Sequence, residues 1–352
     1  MYRPDSVLGW THIPNHNLTY PGHSGSISIH FNSKALRDVE HPYKKRSDVY
    51  RILVLGDSYT EGVDVELTDT FSKRLEILLN ARGLFCEVIN AGVGGYGTDQ
   101  ELIFLTREGW KYDPDLVIVA FTIDNDVHDN VAKGYCKENS TGLVCAQKTD
   151  GMRRRMLIRF KAFAQRHFQS YFFVREKTSR LYALRSILSK LEITEFHNTD
   201  DMTGGLPAQF HTLLRQPSKA TIRGWQLTTA ILRRMNSEAQ QHGASFLMVT
   251  IPSRLQVEED ILQHALEAAR LDISDLDLGQ PNRILLEFGT AHNIPVIDLL
   301  PVFRAATMEG IRLSGGPATE DGHWNKAGHA LAAEIICQEL VRTSAIPKLK
   351  AC

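Results

Sequence analysis

The chain lacks the features that mark several large classes of protein. Its 352 residues contain no apolar run of about 18 residues, so the sequence predicts no membrane-spanning helix. The net charge of −1 gives no reason to expect nucleic acid or an anionic membrane as a partner. The opening MYRPDSVLGW lacks the basic-then-apolar pattern of a secretory signal. We therefore expect either a cytoplasmic protein or one whose numbering begins after a removed leader.

Cysteine is also scarce. The five cysteines are too few and too scattered for a disulfide framework, and their spacing with histidine does not resemble a zinc site. Cys136 and Cys145 flank a polar loop and leave two alternatives, a small hairpin disulfide or two free thiols. Of the two we expect the free thiols. The sequence predicts neither a metal nor a cofactor.

Short apolar runs alternate with amphipathic stretches along most of the chain. The runs are bounded by Gly, Pro, Asn or Asp and predict buried strands at 51–55, 86–89, 116–121, 245–251 and 295–298. Helical periodicity lies between them, at 70–81, 99–109, 222–242, 282–292 and 326–341. Strands that are apolar throughout and alternate with helices predict a parallel sheet covered on both faces.

Residues 131–218 interrupt this alternation. They begin with a hairpin-like region and continue through a basic, aromatic-rich stretch. We interpret them as a mostly helical insertion after the third strand, near the sheet edge where open α/β sheets bind ligands. The 152–173 stretch has two interpretations, a helix that packs its aromatic side chains on the domain or a membrane-surface helix. We favour the first.

The first predicted strand ends in RILVLGDSYTEG, with an acid and a hydroxyl at its tip. Gly56 permits a tight turn, and Ser58 then lies at the carboxyl edge of the sheet. An ordinary strand-to-helix turn would explain the pattern equally well. Because a free hydroxyl is a poor nucleophile at neutral pH, a catalytic serine also needs a base.

The candidate base lies far downstream in EDGHWNKAGHALAAEII. His323 precedes a predicted helix that Asn325 is well placed to cap. Asp321 stands two residues before His323, where a carboxylate can orient the imidazole as in a Ser-His-Asp triad, and Glu320 is the competing acid. His329 is expected on the surface of the helix.

Acyl transfer further needs hydrogen-bond donors for the developing oxyanion. The glycine-rich block NAGVGGYG follows the second strand, and its glycines let a backbone N–H face a ligand. The segment FTIDND follows the third strand and offers the side-chain amide of Asn125. The backbone N–H of Ser58 would be another donor. Any one of these motifs is weak, but all of them fall at predicted strand ends.

Together, GDSY, NAGVGGYGT, the ND pair and DGHWN resemble the four blocks of the SGNH, or GDSL-type, hydrolases. The resemblance implies a flavodoxin-like three-layer α/β sandwich with a central parallel sheet. It implies Ser58 as nucleophile and His323 as base, with Asp321 as the acid of the triad. It also implies an oxyanion hole formed by Ser58, Gly95 and Asn125.

The resemblance sets the expected domain organisation. It covers about 51–121 and 245–341 and leaves the insertion unmatched. We expect a lead-in segment at 1–49 and a hydrolase domain at 50–345. Neighbours of the motif residues complete the predicted pocket: Asp57, Tyr59, Gly94, Tyr96, Asp126 and Trp324.

The predicted function is hydrolysis of an ester through an acyl-enzyme. The expected substrate is a short acyl ester of a carbohydrate or small molecule, from the breadth of the family. The last block departs from the common pattern by having Asp-x-His followed by Trp324, which also resembles the polysaccharide O-acetylation branch. An O-acyltransferase therefore stays open as an alternative. A catalytically silent binding module is the alternative of another class, and the sequence does not predict an oligomeric state.

Overall fold

The structure is a computed structural model that describes residues 1–22, 25–140, 142–145, 206–315, 322–343 and 346. Its strands are β1 Tyr2–Asp5, β2 Gly9–His12, β3 His16–Gly22, β4 Gly25–Phe31, β5 Tyr50–Gly56, β6 Cys86–Gly92, β7 Leu116–Thr122, β8 Cys136–Asn139, β9 Gly142–Cys145, β10 Ser245–Ile251 and β11 Val296–Asp298. Its α-helices are α1 Ser58–Glu61, α2 Phe71–Ala81, α3 Thr98–Arg107, α4 Asp126–Lys133, α5 Lys219–Gln241, α6 Arg254–Val257, α7 Glu259–Ala269, α8 Gln280–His292, α9 Leu300–Met308 and α10 Lys326–Arg342.

Five strands of the described chain form one parallel sheet in the order β6-β5-β7-β10-β11. This is the flavodoxin-like order, and the predicted fold class is confirmed. Every residue of β5 and β7 is buried. Alternate side chains enter opposite layers, since Leu53 and Leu55 pack with α3 and α5 while Ile52 and Val54 pack with α2 and α10. The predicted continuous apolar runs follow from this double burial.

The helices begin and end close to their predicted limits. Thr70 caps α2 through its side chain, which accepts from the Lys73 N–H, and Ser218 caps α5 in the same way. The sequence did not predict α4, α7 or α9. Helix α4 begins shortly after β7, and Asn125 is the N-cap residue of this helix.

The N-terminal residues form two antiparallel hairpins, β1–β2 and β3–β4. These strands were not predicted, although Ile27, Ile29 and Phe31 of β4 are buried and alternate with exposed polar residues. Two charged residues that follow them are fully buried: Arg37 donates to the backbone oxygen of Glu61 at 2.9 Å, and Asp38 accepts from the Asn90 N–H at 2.7 Å. The N-terminal part of the chain is therefore packed into the body of the domain.

The start of the predicted insertion is a β8–β9 hairpin in which Cys136 and Cys145 are opposite each other and form a disulfide. The expectation of two free thiols was therefore wrong. Spacing alone could not decide it, because disulfide formation depends on the distance and direction of the two Cβ atoms. The basic, aromatic-rich stretch at 152–173 lies outside the described residues.

Within the described ranges, none of the helices has the length and apolar composition needed to cross a membrane.

Candidate active site

Ser58 is the first residue of α1 and stands just beyond the carboxyl end of β5. Asp57 caps this short helix, because its Oδ1 accepts from the Tyr59 N–H at 3.0 Å. The side chain of Asp57 is 1% exposed, whereas Ser58 is only partly buried. The strand end and the cap together present the hydroxyl of Ser58 at the sheet edge.

Gly92 explains how α1 can lie across the end of β6. A Cβ at Gly92 would stand 2.2 Å from the Glu61 nitrogen and 2.6 Å from the carbonyl carbon of Thr60. Any side chain there would push α1 away from the sheet, since contacts below 3.0 Å with backbone atoms cannot be relieved by a rotamer change. The absence of a side chain therefore brings the serine helix close to the second strand.

His323 lies in the loop before α10. The loop is held against a preceding segment by two backbone bonds, from the Gly315 N–H to the His323 oxygen and from the Asn325 N–H to the Leu313 oxygen, each 2.9 Å. Asn325 then caps α10 through its side chain, as predicted. The Nε2 of His323 lies 2.8 Å from the Oγ of Ser58, although the two residues are 265 positions apart. This distance is within the range of a serine–base hydrogen bond.

A carboxylate is found near the other nitrogen of the imidazole. The Oδ2 of Asp64 lies 3.6 Å from the Nδ1 of His323, and the Asp64 side chain is 10% exposed. Sequence reasoning missed Asp64, because no motif marks a residue in the turn that follows α1. The predicted acid Asp321 and its competitor Glu320 lie outside the described residues.

The predicted oxyanion residues occupy the ends of the neighbouring strands. The Nδ2 of Asn125 donates to the Oδ2 of Asp57 at 2.8 Å, which ties the third strand end to the residue before the nucleophile. Gly95 has a φ of +74° in a turn closed by a bond from the Tyr96 N–H to the Val93 oxygen. A positive φ of this kind favours glycine. Both Gly95 and Asn125 are partly exposed, as are Ser58 and His323.

Three carboxyl groups lie buried beneath this edge: Asp57, Glu101 and Asp126. Burial raises the pKa of all three, and their mutual repulsion adds to the effect for Glu101 and Asp126. For Asp57, the bonds from Asn125 and Tyr59 and the nearby His323 oppose the effect of burial. No set of three histidine, cysteine or acidic side chains among the described residues is arranged to hold a metal ion.

Several of the predicted pocket residues are placed behind the site. Four of them are at most 3% exposed: Asp57, Tyr96, Asp126 and Trp324. Tyr96 donates its hydroxyl to the Trp10 backbone oxygen at 2.6 Å, and Trp324 packs against Tyr59, Phe71 and Phe303. In this conformation such side chains support the pocket and have almost no surface to offer a substrate. Tyr59 is 8% exposed and lies 5.0 Å from the His323 ring, while Gly94 is partly exposed.

His329 does not lie on the helix surface, as the sequence had led us to expect. It is 1% exposed, and its Nδ1 accepts from the Phe71 N–H at 3.2 Å. Burial, with Arg37 and His323 nearby, lowers the pKa of His329 to about 3. The periodicity of the alanine-rich α10 does not distinguish its buried face from its exposed face.

The N-terminal segment, defined here as residues 1–46, also reaches the site. Tyr2, Trp10 and His12 contact either Glu61 of α1 or the glycine turn, defined as residues 93–96. None of the three was predicted from the sequence as a site residue. Only the folded chain brings them to this edge of the sheet.

A serine hydroxyl bonded to an imidazole at the carboxyl edge of a parallel sheet is the arrangement of an α/β acylhydrolase. The model of the GDSL-like Lipase/Acylhydrolase family matches residues 54–331, which is more than half of the chain. The chain therefore belongs to the GDSL-like Lipase/Acylhydrolase family, and it is a carboxylic ester hydrolase.

Solved structures similar to the chain have low identity to it. An acetyl xylan esterase is 13% identical, with 82% of this chain and 99% of that chain covered and a TM-score of 0.43. An acetylxylan esterase from Geobacillus stearothermophilus is 13% identical over 83% of this chain and 94% of its own, with a TM-score of 0.42. A lipase/acylhydrolase from Enterococcus faecalis is 16% identical over 86% and 100%, with a TM-score of 0.42. No curated protein sequence matches the chain.

Proposed function

We propose that the chain hydrolyses a short acyl ester through an acyl-enzyme on Ser58. The observation that carries this proposal is the 2.8 Å contact between the Ser58 Oγ and the His323 Nε2. Family membership supports ester hydrolysis in general, and this contact supports the particular nucleophile and base. Ser58 is also partly exposed, as a nucleophile that reacts with a substrate must be.

The proposed reaction has two half-reactions. His323 takes the proton of Ser58 as its Oγ attacks the ester carbonyl, and the protonated imidazole then returns the proton to the leaving alcohol. In the second half, His323 deprotonates water, which attacks the acyl-serine, and the proton passes to Ser58 as the acid is released. The proposed oxyanion donors are the N–H groups of Ser58 and Gly95 and the amide of Asn125.

The imidazole gains a positive charge in each half-reaction, so a carboxylate near its Nδ1 would stabilise the transition state. We propose Asp321 for this role on the family resemblance. Asp64 is the carboxylate that the described residues bring nearest to that nitrogen, at 3.6 Å. At this distance Asp64 acts by charge, since 3.6 Å is too long for a hydrogen bond.

The proposed substrate is a short acyl group on a carbohydrate or a small molecule. This part of the proposal depends on the family resemblance. Acyl transfer to a sugar hydroxyl would use the same residues. Hydrolysis is our conclusion because the family is one of acylhydrolases.

The test is hydrolysis of p-nitrophenyl esters of graded acyl length by wild type, Ser58→Ala and a control, Ser237→Ala. Ser237 lies on α5, where its Oγ accepts a bond from Gln241. We expect the esterase activity to fall as the acyl group lengthens. Ser58→Ala should lower this activity by at least about 10³-fold, whereas Ser237→Ala should keep it. A fluorophosphonate probe should label wild type and not Ser58→Ala.

Retention of activity and labelling by Ser58→Ala would overturn the assignment of the nucleophile. A wild type that hydrolyses none of the esters and also resists the probe would favour the silent binding module. Once activity is found, acetylated sugars extend the series, and a sugar acceptor added to the assay separates hydrolysis from acyl transfer by its products.

A further inference from the structure

We propose that the N-terminal segment is a positioning element of the active site, and that Trp10 in particular orients the backbone N–H of Gly95. The inference rests on the proposed function, in which that N–H stabilises the oxyanion. The sequence marks the segment only as a lead-in. Its contacts with the glycine turn give it a role in the reaction itself.

The first argument is the geometry of one peptide unit. The indole Nε1 of Trp10 donates to the Gly94 oxygen at 3.1 Å. That carbonyl and the Gly95 N–H belong to the same planar trans peptide, so they point in opposite directions. Holding the carbonyl therefore fixes the direction of the N–H. A bond to the carbonyl also polarises the N–H and strengthens it as a donor.

The second argument is that neighbouring peptides of the turn are held as well. The Gly94 N–H donates to the Oε2 of Glu61 at 2.6 Å, and the ammonium of Lys133 donates to the Gly95 oxygen. Lys133 also lies 5.5 Å from the centre of the Trp10 ring. Backbone bonds on both sides of the Gly94–Gly95 peptide leave little freedom for its rotation. Such preorganisation is what an oxyanion hole requires.

The third argument is the source of the polar groups around Glu61. This residue ends α1, three positions after Ser58, and its carboxylate is fully buried. The N-terminal segment supplies two of its partners, the Tyr2 hydroxyl at 3.0 Å and the His12 Nε2 at 3.3 Å. A buried carboxylate is costly without partners. The segment therefore stabilises the side chain that links the serine helix to the glycine turn.

The glycine turn also holds Trp10 in place. The Tyr96 hydroxyl donates to the backbone oxygen of Trp10 at 2.6 Å, and the two rings pack edge to face at 5.7 Å. A Cβ on Gly95 would stand 3.4 Å from the Trp10 ring. Tyr96 therefore holds Trp10 against the turn to whose carbonyl its indole N–H donates.

The experiment compares Trp10→Phe with Trp110→Phe. Trp10→Phe keeps an aromatic ring and removes the N–H that holds the Gly94 carbonyl. Trp110 stacks on His242, and its Nε1 has no hydrogen-bond partner among the described residues, so the control replaces a tryptophan without removing a bond of that kind. The assay uses p-nitrophenyl acetate, and a short alkyl boronic acid serves as a tetrahedral analogue.

We expect Trp10→Phe to lower kcat by about 5- to 10-fold with KM within about twofold, as for loss of one hydrogen bond felt in the transition state. The inhibition constant of the boronic acid should rise by a similar factor, because its tetrahedral adduct needs the same donor. If Trp10 had only a structural role, Trp10→Phe would lower thermal stability without parallel changes in kcat and in the inhibition constant. Trp110→Phe should leave kcat and the inhibition constant within about twofold.

If Trp10→Phe fails to fold, Tyr2→Phe replaces it, with Tyr50→Phe as control. Tyr2 is 40% exposed, and the change removes a single bond to Glu61. Faster hydrogen exchange at the amides of the glycine turn, with a lower kcat, would support the inference.

If Trp10→Phe, or Tyr2→Phe in its place, folds and leaves kcat and boronate inhibition unchanged, the inference is overturned. The proposed function would still stand in that case, provided that hydrolysis depends on Ser58. Activity that survives in Ser58→Ala, or a wild type that neither hydrolyses esters nor takes a fluorophosphonate label, would overturn the proposed function and this inference with it.

Discussion

The two sides of the Ser58–His323 contact are held in different ways. The serine side, consisting of α1 and the glycine turn, receives hydrogen bonds from the N-terminal segment and from Asn125, both distant in the chain. The histidine side, consisting of residues 313–315 and 322–325, is held by two local backbone bonds and by the packing of Trp324. Ser58 and the glycine turn are thus held by many long-range contacts, whereas the imidazole of His323 is held by a short loop and lies near the carboxylate of Asp64.

After Ser58→Ala, the largest effect is expected on the serine side, from Asn125→Ala. Loss of one oxyanion donor lowers kcat by about 10²- to 10³-fold in well-studied hydrolases, and we expect the same range here. KM should change little. Asn80→Ala is the control, since Asn80 bonds to Glu76 and Cys86 at the opposite end of β6. A loss below about threefold for Asn125→Ala would remove the amide from the proposed oxyanion hole.

The next prediction concerns His329, which is buried beneath the histidine side. The pKa of His329 is lowered to about 3 in the folded protein, whereas an unfolded histidine has a pKa near 6.5. The unfolded state therefore binds more protons as the pH falls below about 6.5, and folding stability is lost in that direction.

For this residue the loss should amount to about 2 kcal/mol between pH 7 and pH 5. The variant His329→Asn should show a correspondingly smaller loss over the same interval, measured by urea denaturation at each pH. Asn is chosen because its Oδ1 can accept the Phe71 N–H in place of Nδ1. Parallel stability curves for the two proteins would mean that His329 titrates normally.

The smallest effect is expected from Asp64→Asn, which helps to distinguish the two candidate acids, Asp64 and Asp321. Asp64→Asn should lower kcat/KM by about 10-fold or less, since the carboxylate acts through charge at 3.6 Å. The acid limb of the pH profile of kcat/KM should move to lower pH by about 0.5 to 1 unit, because removing a negative charge makes the protonated imidazole less stable.

Asp321→Asn, measured in the same assay, should lower kcat/KM more than Asp64→Asn does if Asp321 also orients the imidazole. A larger loss in Asp64→Asn than in Asp321→Asn would reverse their roles. An acid limb that stays in place in Asp64→Asn would show that its charge is not felt by His323.

Much of the fold and the reacting pair could be predicted from the sequence. The strands of the sheet are buried on both faces and therefore appear as apolar runs, and parallel strands bring their carboxyl ends to one edge. For that reason Ser58, Gly95 and Asn125 could be placed at neighbouring strand ends without coordinates. The His323 loop was found because a helix cap follows it, and Asn325 does cap α10.

Other features could not be decided from the sequence. The disulfide of Cys136 and Cys145 depends on the register of a hairpin, and the burial of His329 depends on which face of α10 meets α2. Asp64 approaches His323 only because α1 and the loop before α10 are adjacent in space.

The order of the parallel strands along the chain and the chemical groups at their ends could be predicted from the sequence, since periodicity and turn residues are local properties. Which side chains hold those groups in place depends on the packing of the folded chain. Trp10 bonds to Gly94, 84 residues away, and Tyr2 bonds to Glu61, 59 residues away. Contacts of this kind leave no periodic trace, because they depend on how distant segments pack and not on the conformation of either segment alone.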